Sequence, residues 1–198
     1  LTNNNKRKAK DVDAANPRFY SDKIGEKTNK GNVNGHIVRL AEAQPTAITF
    51  KWDIYLFGAQ ADADVGQVNI SRLTDGNDLS SPDGLVFSPA TGICWIQTDD
   101  GAYTDQTNCM LLAALPGRVG DGETQTFNYT GSSGKTIRTP VGKPQTEATL
   151  KRFLVGPKGA EITGWAESAD GRAMFVNIQH PGELTKMADV GNPAKYQS

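Results

Sequence analysis

The sequence predicts an all-β protein. Three observations support this fold class. Twenty-one glycines and ten prolines are scattered along the 198 residues, no stretch keeps a helical apolar period for three turns, and short segments rich in β-branched and aromatic residues recur along the chain. A chain of this length can form one sizeable core, so we expect residues 1–198 to belong to a single domain.

Eight segments have the composition of strands. They are residues 36–40, 47–57, 84–88, 93–98, 109–114, 149–155, 161–166 and 172–179. The intervening ranges 5–34, 59–80 and 116–147 are rich in glycine and short polar residues, and we expect them to be long surface loops. A basic cluster at residues 6–10 is interpreted as part of a solvated loop rather than a phosphate-binding patch.

Two stretches of the chain repeat one pattern. Residues 82–99 and 160–180 each carry an acid, an aromatic residue four positions later, a turn that ends in glycine, and then an aromatic-bearing strand. In this alignment Asp83 corresponds to Glu161. The strands at 109–114 and 149–155 follow the first unit, so one unit has four strands. Four antiparallel strands in each unit are typical of the blades of a β-propeller.

The repeat also predicts which strands of each blade are present. Residues 1–4 align with the second strand of the unit, and residues 35–40 and 47–58 follow as the third and fourth strands. The last unit has two recognisable strands. The chain therefore covers roughly two to three four-stranded blades, whereas a closed propeller needs about four or more. We expect the remaining blades to come from upstream sequence or from another chain, which includes a second copy of this one.

Composition excludes several functional classes. A net charge of −1 gives no basic field for nucleic acid, and no apolar run is long enough for a membrane helix. The chain starts without methionine or a secretion segment, so we expect a cut N-terminus. Cys94 and Cys109 could form a cross-strand disulfide or remain buried free thiols.

Other motifs do not predict chemistry. Residues 131–136 (GSSGKT) lack the spacing of a phosphate-binding loop, since Tyr129 stands where a glycine would be needed. A flexible loop is the simpler interpretation. With His36 and His180 as the two histidines, the sequence offers little material for a histidine-based catalytic triad, and we interpret both as structural.

The acids of the repeat predict a metal site. The first strand of each propeller blade lines the central channel, so Asp83 and Glu161 should converge there. Crowded carboxylates repel unless cations neutralise them, and oxygen ligands favour Ca²⁺, Mg²⁺, Mn²⁺ or oxidised iron. The alternative is a turn role for Asp83 in Pro-Asp-Gly and a surface position for Glu161. Asp99, at the end of the second strand, is a further channel candidate.

Several stretches together resemble the C-terminal part of the PhoX alkaline phosphatase family. They are NPR (16–18), GHIVRLAE (35–42), TFKWDIYLFG (49–58), SPDGLVFSPATGICWIQTDD (81–100), RFLVGPKGAEITG (152–164) and DGRAMFVNIQHPGE (170–183). The resemblance runs in order along most of the chain. It implies a six-bladed propeller that hydrolyses phosphate monoesters, is exported to the periplasm or secreted, and holds Ca²⁺ and Fe³⁺ in its channel.

The resemblance also implies that Asp83 and Glu161 are metal ligands. The family's Arg-Pro-Glu motif and its iron-binding cysteine lie upstream of the part matched here, so Cys94 and Cys109 do not take that cysteine's role. We expect no catalytic residues beyond metal ligands in residues 1–198, and no phosphatase activity from this chain alone. The alternative is a non-catalytic relative whose propeller serves binding or assembly.

Overall fold

The computed structural model describes residues 2–4, 7–100, 106–182 and 185–195, and within these ranges the fold is all-β, as predicted. The strands are β1 (Thr2–Asn4), β2 (Tyr20–Ile24), β3 (Lys27–Glu42), β4 (Phe50–Phe57), β5 (Pro82–Phe87), β6 (Cys94–Thr98), β7 (Met110–Ala114), β8 (Thr124–Tyr129), β9 (Lys135–Pro140), β10 (Leu150–Val155), β11 (Glu161–Glu167) and β12 (Met174–Gln179). Short 3-10 turns lie at Ala9–Asp11, Met187–Asp189 and Pro193–Lys195. No helix among the described residues is both long and apolar enough to cross a membrane.

A four-stranded antiparallel sheet forms the middle of the chain, in the order β10-β7-β6-β5. These are the four successive strands that the repeat predicts for one complete unit. The hairpin β8–β9 is inserted between the third and fourth strands. We call the four-stranded sheet β10-β7-β6-β5 the second sheet.

The first sheet contains β1, β3 and β4 in that order, and β2 pairs with the beginning of β3. The third sheet is the hairpin β11–β12. Residues 2–4 therefore lie beside β3, and β3 lies beside β4, as the predicted order of the segments 1–4, 35–40 and 47–58 requires. Residue 1 lies outside the described residues.

Two of the three predicted loops contain strands. The range 5–34 carries β2 and the first part of β3, and the range 116–147 carries the hairpin β8–β9. The polar composition of these ranges does not indicate strands, because few of their apolar residues are buried: on β8 only Phe127 and Tyr129 are.

The third predicted loop, residues 59–80, contains no strand but is not a solvated surface loop. Leu73 and Leu79 are buried in the core. The Asn69 side chain satisfies backbone groups of this segment. It donates to the carbonyls of Ala61 and Leu73 and accepts from the Leu73 N–H. Side chains that bond backbone groups in this way allow an irregular segment to be buried.

The three sheets pack in series through two apolar interfaces. The interface between the first and second sheets is built from residues of both, including Ile37, Leu56, Ile96, Leu112 and Leu150. The interface between the second and third sheets includes Trp95, Leu111, Ile162 and Trp165. A third cluster joins the first sheet to the β8–β9 hairpin through Ile54, Phe57, Phe127 and Tyr129. Burial of a large apolar side chain stabilises the fold by about 1.5–3 kcal/mol.

The interface between the second and third sheets covers only part of the second sheet. Strand β11 packs against β5, β6 and β7. On the outermost strand, β10, Phe153 contacts the Trp95 ring at 5.0 Å between centroids yet is 55% exposed. Phe175, on β12, is 64% exposed. An apolar face of this kind marks a surface that another segment can cover.

A fully buried arginine ties the N-terminal segment to the first sheet. The Arg18 guanidinium donates to the Asn32 side-chain oxygen (2.9 Å) and to the carbonyls of Gly35, Gly58 (2.8 Å) and Val68 (2.7 Å). It also lies over the Phe57 ring, 4.7 Å from the centroid. These hydrogen-bond partners are neutral, and burial lowers the pKa of Arg18. The hydrogen bonds and the aromatic face offset the cost of burying the charge.

The two cysteines are buried free thiols rather than a disulfide. Cys94 begins β6 and pairs with Ala114, whereas Cys109 precedes β7 at the opposite end of the same strand pair. The Cys109 sulfur accepts the Asp100 N–H at 3.1 Å. Burial raises the pKa of Cys94 to about 11 and also raises the pKa of Cys109.

Replacement of Arg18 by methionine should lower the free energy of unfolding by about 3 kcal/mol or more. The change leaves several buried acceptors without a donor, and each such acceptor costs about 1–3 kcal/mol. Denaturant unfolding of Arg18→Met measures this. Arg118, which is exposed, provides the control, since Arg118→Met should change stability by less than about 0.5 kcal/mol. Equal losses in the two variants would contradict the anchoring role.

The two thiols should react slowly with a thiol reagent at pH 8 in the native protein and completely after unfolding. The thiolate is the reactive form, and burial and the raised pKa values keep both groups protonated. A colorimetric thiol assay, with and without denaturant, measures this. Fewer than two thiols after unfolding, or a fast native reaction, would show that the cysteines are not the buried free thiols described above.

Candidate metal centre

Three carboxylates converge where the second and third sheets meet. Asp83 is the second residue of β5, Asp99 directly follows β6, and Glu161 is the first residue of β11. One oxygen from each lies within 4.8 Å of an oxygen from each of the others. The structure thus brings together all three acids that the sequence selects, from three separate strand ends.

A β-bulge directs Asp83 into this cluster. Pro82 pairs with Thr98, but Leu85 pairs with Ile96, so Asp83 and Gly84 together oppose the single residue Gln97. An extra residue of this kind bends the strand and re-aims the side chains beside it. The turn role that Pro-Asp-Gly suggests is thus replaced by a position inside a strand.

Gly84 makes room for the side chain that backs the bulge. A Cβ atom at position 84 would lie 1.9 Å from Oε1 of Gln97 and 3.3 Å from its Cβ. Gln97 is buried, so its side chain has little freedom to move aside. Glycine is therefore required by close approach rather than by an unusual φ angle.

Asp99 is held beside Asp83 by the end of the β5–β6 hairpin. Its N–H donates to the carbonyl of Ser81 at 3.2 Å. Loss of surrounding water raises the pKa of Asp99, and the negative charges of Glu161 and Asp83 raise it further, while His180 acts in the opposite direction. The raised pKa shows that the three carboxylates interact electrostatically.

Glu161 is the buried member of the cluster, whereas Asp83 and Asp99 are exposed. Its Oε1 lies 2.9 Å from Nε2 of His180, which directly follows β12. We interpreted His180 from the sequence as a structural residue at a strand end, and that interpretation missed this contact. Glu161 begins the first strand of the β11–β12 hairpin, and His180 follows its second strand. The two residues become neighbours because Glu161 pairs with Gln179.

The register of the strands corrects one alignment made from the sequence. In the third sheet, Ile162 pairs with Ile178 and Trp165 with Val176, so Thr163 and Gly164 form a second bulge opposite Asn177. When the two bulges are aligned, Asp83 corresponds to Thr163 and not to Glu161. The two acids therefore converge from positions two residues apart on equivalent strands.

The donor set of this cluster fits a hard, multivalent cation. Three carboxylates supply oxygen ligands and negative charge, which Ca²⁺ and oxidised iron favour over nitrogen- or sulfur-rich sites. After burial, the negative charges of Glu161 and Asp83 contribute to the raised pKa of Asp99, and a bound cation would relieve that repulsion. Exposure of two of the acids leaves one side of the cluster open to a ligand.

The remaining sequence candidates lie elsewhere. His36, on β3, is fully buried, and burial followed by the charge of Arg18 lowers its pKa to about 3. Residues 130–134 connect β8 to β9 as a hairpin turn, and the last two residues of the GSSGKT stretch, Lys135 and Thr136, begin β9. In the basic cluster, Lys6 lies outside the described residues, while Arg7 and Lys10 pair with Asp13 and Asp11, at 2.9 and 2.8 Å.

Comparison with known proteins gives two matches. The sequence profile of the family described as alkaline phosphatase PhoX matches residues 1–182. Among solved structures, the chain is similar to Pseudomonas fluorescens PhoX in complex with vanadate, a transition state analogue, with 27% sequence identity and a TM-score of 0.55. That match covers 85% of this chain and 25% of the other, so the chain spans about a quarter of that protein's length. No curated protein matches significantly.

Replacement of Gly84 by alanine should lower the free energy of unfolding by about 1–3 kcal/mol, the usual cost of overpacking. The added methyl group would collide with Gln97. Thermal unfolding measures the loss, and Gly131→Ala is the control because nothing lies within 4 Å of a Cβ atom there. In a Gln97→Ala background the cost of Gly84→Ala should shrink. The same cost in both backgrounds would rule out the collision.

Proposed function

Because the chain belongs to the PhoX alkaline phosphatase family, we propose that it forms part of a metal-dependent phosphatase that hydrolyses phosphate monoesters. The convergence of Asp83, Asp99 and Glu161 within 4.8 Å is the observation that carries the proposal. The family match includes all three residues. The reaction is assigned to the whole protein, since the chain spans a quarter of the length of the solved relative.

In this proposal the three carboxylates hold cations, for which Ca²⁺ and Fe³⁺ are the candidates. Such cations, when bound, neutralise phosphate oxygens and stabilise charge on the attacking and leaving oxygens. Glu161 forms the buried floor of the site, and Asp83 and Asp99 lie at its open side, where a phosphate ester would approach. These residues act as ligands and not as proton shuttles.

The solved relative supports the substrate class. That protein, Pseudomonas fluorescens PhoX, was determined in complex with vanadate, a transition state analogue. Vanadate is an oxyanion, and a site that stabilises it is suited to phosphoryl transfer chemistry. By similarity, we assign a phosphate monoester as the substrate of the protein that contains this chain.

We further propose that the three sheets are successive blades of one β-propeller, six-bladed as in the family resemblance. The second sheet has the four-stranded antiparallel order of a blade. β5 and β11, which carry Asp83 and Glu161, would be the inner strands. The partial cover of Phe153 and the exposure of Phe175 support the addition of further strands from polypeptide outside residues 1–198. A periplasmic or secreted location follows from the same resemblance.

Replacement of Glu161 by glutamine should reduce metal content and phosphatase activity together, each by at least about tenfold, because the change removes the buried charged ligand while keeping the shape. The variant is made in the protein that contains this chain at its natural length. Elemental analysis for calcium and iron, and hydrolysis of a chromogenic phosphate monoester, give the two readouts.

Glu26→Gln is the matched control, because Glu26 is an exposed acid in the turn between β2 and β3. It should keep both metal and activity. If Glu161→Gln also retains full metal content and full activity, the assignment of Glu161 as a ligand is wrong. If the unmodified protein contains no metal and no phosphatase activity, the proposed function itself is wrong.

A further inference from the structure

We propose that His180 is a positioning residue that orients Glu161 toward the bound cations; the inference rests on the proposed function. Its Nε2 lies 2.9 Å from Oε1 of Glu161. An ionised carboxylate can only accept a hydrogen bond, so we assign Nε2 as the donor. A carboxylate has two oxygens and about four acceptor sites, so this hydrogen bond leaves capacity for a cation on the same group. A donor behind a metal-binding carboxylate restricts the directions in which it can point.

The backbone of His180 indicates that this position is specifically maintained. Its φ angle is +37°, a left-handed conformation that is uncommon for residues other than glycine, although histidine adopts it more often than most. Pro181 follows and further restricts the choice of conformation. Such a backbone costs about 1–3 kcal/mol and persists where the surrounding contacts compensate. The hydrogen bond to Glu161 is one of these contacts, and the conformation carries the imidazole to the carboxylate.

The second sheet contains the same pair of positions with different chemistry. With the two bulges aligned, Ser81 corresponds to Glu161, and Asp100 corresponds to His180. The Ser81 hydroxyl donates to Oδ1 of Asp100 at 3.2 Å. In both hairpins, therefore, the residue two positions before the bulge contacts a residue on the neighbouring strand. That residue lies three positions after the one that faces the bulge, which is Gln97 in the second sheet and Asn177 in the third. The third sheet uses this recurring contact to join an imidazole to the buried acid of the cluster.

The burial of Glu161 explains why its hydrogen-bond partner matters. The Glu161 side chain is 10% exposed and the His180 side chain 37% exposed. Loss of the His180 donor would remove one partner of a buried carboxylate, and a poorly paired buried charge favours a rotamer turned toward water rather than toward the other two acids. With His180 in place, Glu161 is held at the junction of the sheets, where its oxygens face those of Asp83 and Asp99.

The test compares Ca²⁺ affinity by titration calorimetry in the protein that contains this chain. In His180→Gly the left-handed backbone is accommodated and the donor is lost, so we expect Ca²⁺ affinity to fall about tenfold to a hundredfold. His180→Gln keeps a side-chain N–H donor and should recover much of the affinity. If His180→Gly does not fold, His180→Asn replaces it, since asparagine tolerates this backbone and has a shorter side chain.

A double-mutant cycle separates positioning from a structural role. If His180 acts through Glu161, His180→Gly should have little further effect on Ca²⁺ affinity in a Glu161→Gln background. An equal loss in both backgrounds, or wild-type affinity in His180→Gly, overturns the inference and leaves the proposed function intact. Absence of Ca²⁺ binding by the unmodified protein overturns both.

Discussion

Repulsion among three carboxylates is the constraint on which the site depends. Two like charges about 4 Å apart near a protein surface repel by about 4 kcal/mol at an effective dielectric constant of 20. Asp83, Asp99 and Glu161 lie close enough to interact in this way, and the charges of Glu161 and Asp83 add to the effect of burial in raising the pKa of Asp99. Packing of the third sheet against the second holds the three carboxylates close together. Apolar burial at this interface therefore offsets the repulsion among the carboxylates at its edge.

Buried polar anchors complete the framework around these interfaces. Arg18 fixes the N-terminal segment through neutral acceptors. Arg39 instead joins two acids, Asp53 and Asp121, at 2.6 and 2.8 Å, and so ties the segment before β8 to the first sheet. Such fully bonded groups are costly to bury but disfavour alternative packings. The sheets are thus aligned by directional contacts as well as by apolar area.

Much of the fold could be predicted because it follows from local patterns. All eight segments selected for β-branched and aromatic residues form strands, and their order within the sheets follows the repeat. The hairpin β8–β9 was missed because its strands are polar on most positions and depend on distant partners such as Ile54 and Phe57. Asp83, Asp99 and Glu161 were selected from the ends of strands, and they converge. The contact of Glu161 with His180 depends on strand register and a left-handed residue, neither of which composition encodes.

The last strand has a consequence for handling this chain. Among the described residues, β12 pairs with β11 on one side only, and Phe175 is largely exposed on it. An open edge with an aromatic side chain is a template for intermolecular strand pairing. Residues 1–198 produced on their own should therefore be prone to aggregation, and a lysine substitution on the outer face of β12 is a rational way to improve yield.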